Sequence, residues 1–460
     1  MSDRRTFALR LGSLMMAAPL PACTAMTPSS DLPLDRPGGP LPELDRALEA
    51  LIHHPLHPVV AVAALAVRDG LVVYSRQFGS RHLGDTPGQE PWPVTPRTLY
   101  RVASITKLVV TLGVMRLVEQ GRLDLDRDVG DWLGWPLRHP RHAGVPSTMR
   151  LLLTHRSAMS DGGERYFFGA DTALRDVLDP KGRLFADGVN WRLDKSPGDW
   201  FEYVNLNFGV VATVMEAATG QRFDRLMQDL VLGPLGLEGG FDPSAMPREQ
   251  QRQIAAQYRK RRRQGPADVW DPQGPWVVQA DDYRAQPAPP VPGLDRYVPG
   301  RNGTLFGPQG RLRLSLRDLG VLLQMLLDSG LHRGVPFLQP SSVQRLSEEH
   351  WRALPGRPVA ADVHHDWAMA WGLGVQRFTD QGGPARGDRL SAGFTGWGHL
   401  GEAYGFLGTF ALDPVGRRGF VTLSTGSAVP ESAAPGAWSA MPRWQELAAD
   451  AAVRLALGPG

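Results

Sequence analysis

Apolar positions along the chain follow two rhythms. Leu44, Ala47, Leu48 and Leu51 recur at helical spacing after Leu41-Pro42, which predicts a short amphipathic helix. Val59 to Val67 is a continuous apolar run of strand length, turned at Arg68-Asp69-Gly70 and returned by Leu71-Val72-Val73-Tyr74. Asp-Gly between two apolar runs is a strong hairpin signal, because tight hairpin turns need residues that tolerate positive φ. A long helical stripe begins at Ser104, continues through Val109, Leu112, Met115, Leu117 and Val118, and ends at Gly121. Further helices are expected over Phe208 to Thr219, Phe223 to Leu232 and Leu316 to Ser329, among Pro- and Gly-rich loops. Gln264 to Asn302 is crowded with Pro, Trp and Gln and reads as a long ordered loop, since its aromatic side chains need burial. Strands return at Trp371 to Phe378, Gly405 to Leu412 and Gly419 to Ser424, and Pro442 to Leu457 closes the chain as a helix.

Strands at both ends and helices between them predict an α+β fold: an antiparallel β-sheet flanked by N- and C-terminal helices, with an inserted mainly helical domain. The expected sheet subdomain covers about residues 42–103 and 365–460, and the helical subdomain about 104–364. Of 460 residues 42% are hydrophobic and 21% charged, enough apolar material for a sizeable core. The net charge of +3 excludes a strong basic field, and no nucleic-acid partner is expected. The one dense basic run, Arg259-Lys260-Arg261-Arg262-Arg263, reads as a solvated helix end or loop, with a polyanion or membrane-surface contact as the alternative.

The first residues read as a targeting segment. Arg4-Arg5 precedes a short apolar stretch from Leu11 to Leu20, which ends in Leu20-Pro21-Ala22-Cys23. Small residues before a lone Cys resemble a bacterial lipobox, and the Arg pair followed by Phe7 resembles a twin-arginine export signal. Residues 1–23 are therefore expected to be an export signal with lipid attachment at Cys23, and residues 24–41 a flexible tether. The expected location is extracytoplasmic or periplasmic, on the membrane through that lipid. An ordinary signal peptide with an incidental Cys is the alternative. Cys23 is the only cysteine, so neither an internal disulfide nor a Cys-based zinc site is available.

The sharpest chemical feature is Ser104-Ile105-Thr106-Lys107. On a helix, positions i and i+3 share a face, so the Lys amine stands beside the Ser hydroxyl. A hydroxyl needs a neighbouring base to become a nucleophile. Burial among Val102, Leu108 and Val109, with the positive end of the helix dipole, lowers a Lys pKa toward that task. The backbone N–H of Ser104 at the same helix start favours an oxyanion. Tyr203-Val204-Asn205 supplies a phenol that can relay a proton and an amide that can fix Lys107 or a substrate carbonyl. In Gly398-His399-Leu400-Gly401, the glycine permits close approach at a strand edge and His399 can stabilise charge. Each motif alone also has a structural reading: a Ser N-cap with a solvated Lys, an aromatic core residue, a satisfied His.

Taken in order, these features resemble the serine β-lactamase and penicillin-binding-protein-like superfamily, nearest to class C β-lactamases and family VIII carboxylesterases. Thr98 to Lys107 resembles its nucleophile segment, Val118 to Asp126 the end of its helix, and Arg150 to Ser157 its next signature. Pro197 to Gly209 resembles its Tyr-x-Asn block, Gly307 to Leu319 a later segment, and His399-Leu400-Gly401 its Lys-Thr-Gly or His-x-Gly. The resemblance implies Ser104 as acyl-forming nucleophile, Lys107 as general base and Tyr203 as proton relay. Asn205 would orient Lys107 or substrate, His399 would line the site, and the N–H groups of Ser104 and Glu402 would form the oxyanion hole. Efficient β-lactamases of this family usually carry Lys where His399 stands, so ester, amide or peptide substrates are expected ahead of β-lactams.

The expected activity is therefore serine hydrolysis through an acyl-enzyme, on a small-molecule or peptide substrate and without a cofactor. A non-catalytic member that binds cell-wall peptide or a partner is the alternative. His53-His54 with His57, and His364-His365, lack acidic partners at ligand spacing, so no metal site is expected. No G-x-S-x-G elbow is present either. Replacing Cys23 with Ser should move the protein from the membrane fraction to the soluble fraction; unchanged membrane association would remove the lipid anchor.

Overall fold

The computed structural model describes residues 40–84, 90–264, 267–353, 366–383 and 387–458. Cys23, the leader, the tether up to residue 39 and His364-His365 lie outside the described residues. Nine strands lie side by side in the order Trp351–Arg352, Ala370–Trp371, Gln376–Phe378, Gly396–Ala403, Phe406–Asp413, Arg418–Thr425, Ala61–Arg68, Leu71–His82 and Trp92–Pro93. Every neighbouring pair is antiparallel, and the N-terminal hairpin joins the C-terminal strands through Ala61–Arg68 against Arg418–Thr425.

The strand Ala61–Arg68 explains why the sheet is covered on both faces. Ala63, Leu65 and Val67 point to one core, shared with the helices Ile105–Glu119 and Leu316–Leu327. Val62, Ala64 and Ala66 point to the other, shared with the helices Pro42–Ile52 and Arg443–Ala451. A strand buried on both faces reads as an unbroken apolar run, as it does here. The hairpin turn behaves as its Asp-Gly sequence predicts, with Asp69 at φ 56° and Gly70 at φ 77°.

Several elements differ from the sequence expectation. The stretch Trp371 to Phe378 is two short strands, because Gly372-Leu373-Gly374 turns the chain and Gly374 takes φ 62°. Gly396–Ala403 is a full strand where glycines weaken the strand pattern. The proposed loop from Gln264 holds two strands, Ala267–Trp270 and Trp276–Ala280, which pair with Gln257–Gln264 in a separate three-stranded sheet. The basic run lies in that sheet rather than in a helix end or loop. Arg259 and Arg261 stand 5.0 and 4.7 Å from the Trp270 ring centre, and Lys260 5.4 Å from that of Trp276. Cations over indole faces give these tryptophans the cover that the loop reading sought from burial.

A buried ion cluster ties this added sheet to the strand that leads into the helix Ile105–Glu119. Leu99–Arg101 pairs with Arg313–Ser315, and Asp281, just after the last added strand, bridges both. Arg101 donates to Asp281 through Nε and Nη2, both at 2.8 Å, and Arg313 Nη2 donates at 2.7 Å. The two guanidinium groups hold the Asp281 carboxyl far below the usual carboxylate range against its burial. Removing one member of a buried cluster strands the other charges. Asp281→Ala should therefore lower the unfolding free energy by about 3–5 kcal/mol. Urea denaturation measures this, and a loss below about 1 kcal/mol, in the range of an exposed pair, would show that the cluster does not hold the two parts together.

Candidate active site

The chain reaches Ser104 through a strained turn. The Val102 N–H donates to Leu312 O at 3.0 Å, and Ala103 then takes φ 45°, a left-handed conformation costly for a residue with a side chain. The turn ends the strand Leu99–Arg101 and starts the helix Ile105–Glu119, with Ser104 at its N-cap position. This helix is apolar on nearly every face and runs through the core. Its first turn carries Lys107, which is wholly buried.

Lys107 Nζ lies 3.0 Å from Ser104 Oγ, 2.8 Å from Asn205 Oδ1 and 3.0 Å from the carbonyl oxygen of Gln309. Three acceptors match the three donors of an ammonium. Burial nonetheless pulls the amine down to a pKa of about 7, against the opposing charge of Asp161. Near neutral pH a large share of the population therefore holds a neutral amine, which can accept the Ser104 proton.

Tyr203 and Asn205 arrive together at the start of the helix Asn205–Thr219. Tyr203 is buried, its hydroxyl meets the Ser104 side chain, and its ring centre lies 4.6 Å from Lys107 Nζ. Burial raises the Tyr203 pKa above the ordinary phenol value, so it stays protonated at neutral pH. Asp161 accepts the N–H groups of Asn205 and Leu206 at 3.0 and 2.9 Å, and Asn205 Nδ2 at 2.9 Å. A carboxylate at a helix N-terminus caps free backbone donors. With Nδ2 turned to Asp161, only Oδ1 remains for Lys107, so Asp161 sets the orientation of the amide. His155 supports the same block: its Nδ1 accepts the Val204 N–H at 3.0 Å, and its ring centre lies 4.5 Å from that of Tyr203.

The strand Gly396–Ala403 forms the opposite wall. A Cβ on Gly401 would stand 2.7 Å from Val102 O, so this glycine admits the nucleophile segment as well as bordering the cleft. The register settles where Glu402 points its N–H. Tyr404 (φ 56°) and Gly405 (φ 90°) form a two-residue turn, which makes Ala403 and Phe406 a hydrogen-bonded pair. Antiparallel pairs alternate, so Glu402 opposite Leu407 is a non-bonded pair. Its N–H therefore faces the other edge, where the neighbouring strand has already ended at Gln376 opposite Gly398. Ser104, Tyr203, Asn205, Gly401 and Glu402 border one cleft of about 1080 Å³. His399 departs from its expected place. It is wholly buried, with ring centres 6.1 Å from Tyr203 and 5.5 Å from Trp371, and backs the tyrosine instead of lining the cleft.

Asp161 and the carbonyl of Gln309 are site groups that sequence reasoning missed. Asp161-Gly162-Gly163 has the composition of a loop, and nothing local ties it to a helix start 44 residues away. A backbone carbonyl such as that of Gln309 has no residue-type signal at all. Among the described residues no group of three or more His, Asp or Glu could hold a metal, and no helix is long and apolar enough to cross a membrane.

Comparison with known proteins places this geometry. A family model described as Beta-lactamase matches residues 48–441. Esterase EstB of Burkholderia gladioli is 34% identical over 201 residues, 41% of this chain and 48% of that protein. A D-aminopeptidase of Gluconobacter oxydans is 30% identical over 216 residues, 44% of this chain and 37% of that protein. The chain thus matches less than half the length of either relative. The octameric penicillin-binding protein homologue from Pyrococcus abyssi superposes with a TM-score of 0.62 at 21% identity, over 91% of this chain and 77% of that one. It shares the fold.

Asp161→Asn should loosen the Asn205 amide and remove a negative charge that holds the Lys107 pKa up. The acid limb of the pH–rate profile should then move to lower pH, with kcat down roughly 10- to 100-fold. A limb that stays in place or moves upward would rule out this role for Asp161.

Proposed function

Since the chain belongs to the β-lactamase family, we propose that it hydrolyses ester or amide bonds through an acyl-enzyme on Ser104. The observation that carries this reading is Lys107 Nζ, buried and held 3.0 Å from Ser104 Oγ with a pKa of about 7. The esterase and D-aminopeptidase among the relatives support the same bond types. The buried His399, standing where β-lactamases of this type carry Lys, supports esters and amides ahead of β-lactams.

In the first step neutral Lys107 takes the Ser104 proton as Oγ attacks the carbonyl carbon. The carbonyl oxygen becomes an oxyanion held by the N–H groups of Ser104 and Glu402. The intermediate collapses, the bond to the leaving group breaks, and a proton passes to that group from Lys107 by way of the Tyr203 hydroxyl. Water then attacks the acyl-enzyme and gives its proton to the regenerated amine; the bond from the acyl carbon to Ser104 Oγ breaks, Lys107 returns that proton to Oγ, and the acid leaves. Asn205 and the Gln309 carbonyl hold the amine in place throughout. The same cleft without turnover would serve only to bind cell-wall peptide or a partner, and the complete Ser104, Lys107, Tyr203 set weighs against that use.

Purified protein should hydrolyse p-nitrophenyl butyrate, and Ser104→Ala should lose at least about 1,000-fold of that activity. For wild type, kcat/KM should rise with pH through an apparent pKa near 7, because the base works only after Lys107 loses its proton. Equal activity in Ser104→Ala would remove the nucleophile assignment. A folded wild type with no turnover of esters or D-amino-acid amides would favour the binding reading.

A further inference from the structure

The turn Gly307 to Arg311 serves the cleft in two ways. Its Gln309 carbonyl receives Lys107, and two residues later Arg311 borders the same cleft as Ser104. The turn is closed by the N–H groups of Gly310 and Arg311, which donate to Gly307 O at 3.0 and 2.9 Å. Gly307 takes φ 59°, and a Cβ there would stand 2.2 Å from Arg311 Cδ, so the arginine stem lies directly over the glycine. The guanidinium stands 5.5 Å from the Phe167 ring centre, and its Nη1 donates to Leu305 O at 3.4 Å. The side chain is thus held by its stem, and Arg311 and the Phe167 it lies over both border the cleft.

What the guanidinium lacks is a counter-ion. Among the described residues no carboxylate forms an ion pair with Arg311, whereas Arg101 and Arg313 both pair with Asp281. Arg101 and Arg313 thus share one carboxylate and Arg311 pairs with none, while Tyr283, whose hydroxyl lies 3.1 Å from Asp281, adds no charge at neutral pH. Burial, Arg313 and Arg101 lower the Arg311 pKa to about 10, which leaves it charged at neutral pH. Asp161, Glu164, Glu202, Asp366 and Glu402 also border the cleft, and no ion pair joins any of them to Arg311. A half-buried cation with two cationic neighbours and no anion of its own is costly alone, and an anionic ligand would relieve it. A planar guanidinium suits the two oxygens of a carboxylate.

We propose that Arg311 is a specificity-determining residue that binds a carboxylate of the substrate, so that the enzyme favours esters or amides bearing a free acid. This rests on Ser104 as nucleophile. The test compares wild type, Arg311→Gln, Arg311→Lys and Ser104→Ala on two p-nitrophenyl esters of equal chain length, the hexanoate and the mono-ester of adipic acid. Arg311→Gln should lower kcat/KM for the adipate ester about 10- to 100-fold more than for the hexanoate, the range of a charge-assisted hydrogen bond. Arg311→Lys should recover part of the loss. Binding of phenylboronic acid and of 3- and 4-carboxyphenylboronic acid, followed by calorimetry, reads the same preference without turnover. Equal losses on both esters, or no preference in either assay, would overturn the proposal while leaving Ser104 intact. No turnover of either ester and no boronate binding would instead remove the Ser104 reading, and this one with it.

Discussion

A primary amine taken wholly out of water has to lose its charge or be ringed by acceptors. Lys107 meets that demand with one acceptor from each of three separate parts of the chain: Ser104 one turn back, Asn205 at the start of another helix, and the Gln309 carbonyl in a turn. Satisfying the amine and assembling the catalytic centre are thus the same act of folding. The acceptors are neutral, so they hold the amine without restoring its ordinary basicity. Asp161, one residue removed behind Asn205, adds only a partial correction. A direct carboxylate partner in place of Asn205 would satisfy the nitrogen better and make it a poorer base at neutral pH.

The position of the nucleophile depends equally on backbone contacts. Ala103 is held in a left-handed conformation because Val102 bonds to Leu312 on one side and Gly401 packs against its carbonyl on the other. The cost of that conformation, of order 1–3 kcal/mol, is met by packing that fixes the chain before and after it. With the turn fixed, the Ser104 N–H at the helix start and the outward N–H of Glu402 border one cleft.

Much of this was legible in the sequence. The Ser104 to Lys107 spacing is a helix property, and the helix showed in its apolar stripe. Ala61–Arg68 showed as an unbroken apolar run because it is buried on both faces. The Asp69-Gly70 turn carried its own conformational signature. What was hidden depends on contacts distant in sequence. Asp161 caps a helix whose start lies 44 residues on, Gln309 acts through its backbone, and Gly401 leaves room for the Val102 carbonyl. Gly396–Ala403 was missed as a strand because its three glycines remove the side-chain alternation on which strand recognition relies. The basic strand Gln257–Gln264 looked like a solvated loop because its charges face indole rings rather than water alone.

The two kinds of site residue also differ in what they constrain. Ser104, Lys107, Tyr203 and Asn205 sit on or beside two core helices, where packing leaves their geometry little freedom. Arg311, Phe167 and Tyr404 sit on turns and loops around the same cleft, with Tyr404 and Phe167 about half exposed at 47% and 45%. Each aromatic faces an arginine, Tyr404 with Arg101 at 5.4 Å and Phe167 with Arg311 at 5.5 Å. Only the first of these cations is neutralised from behind, by Asp281. A change at Phe167 or Tyr404 alters shape at the cleft without touching the groups that hold the amine, whereas the turn that carries Arg311 also carries the Gln309 carbonyl that receives it. The groups that hold the amine and the groups that rim the cleft thus lie largely on different elements, which meet at the turn Gly307 to Arg311.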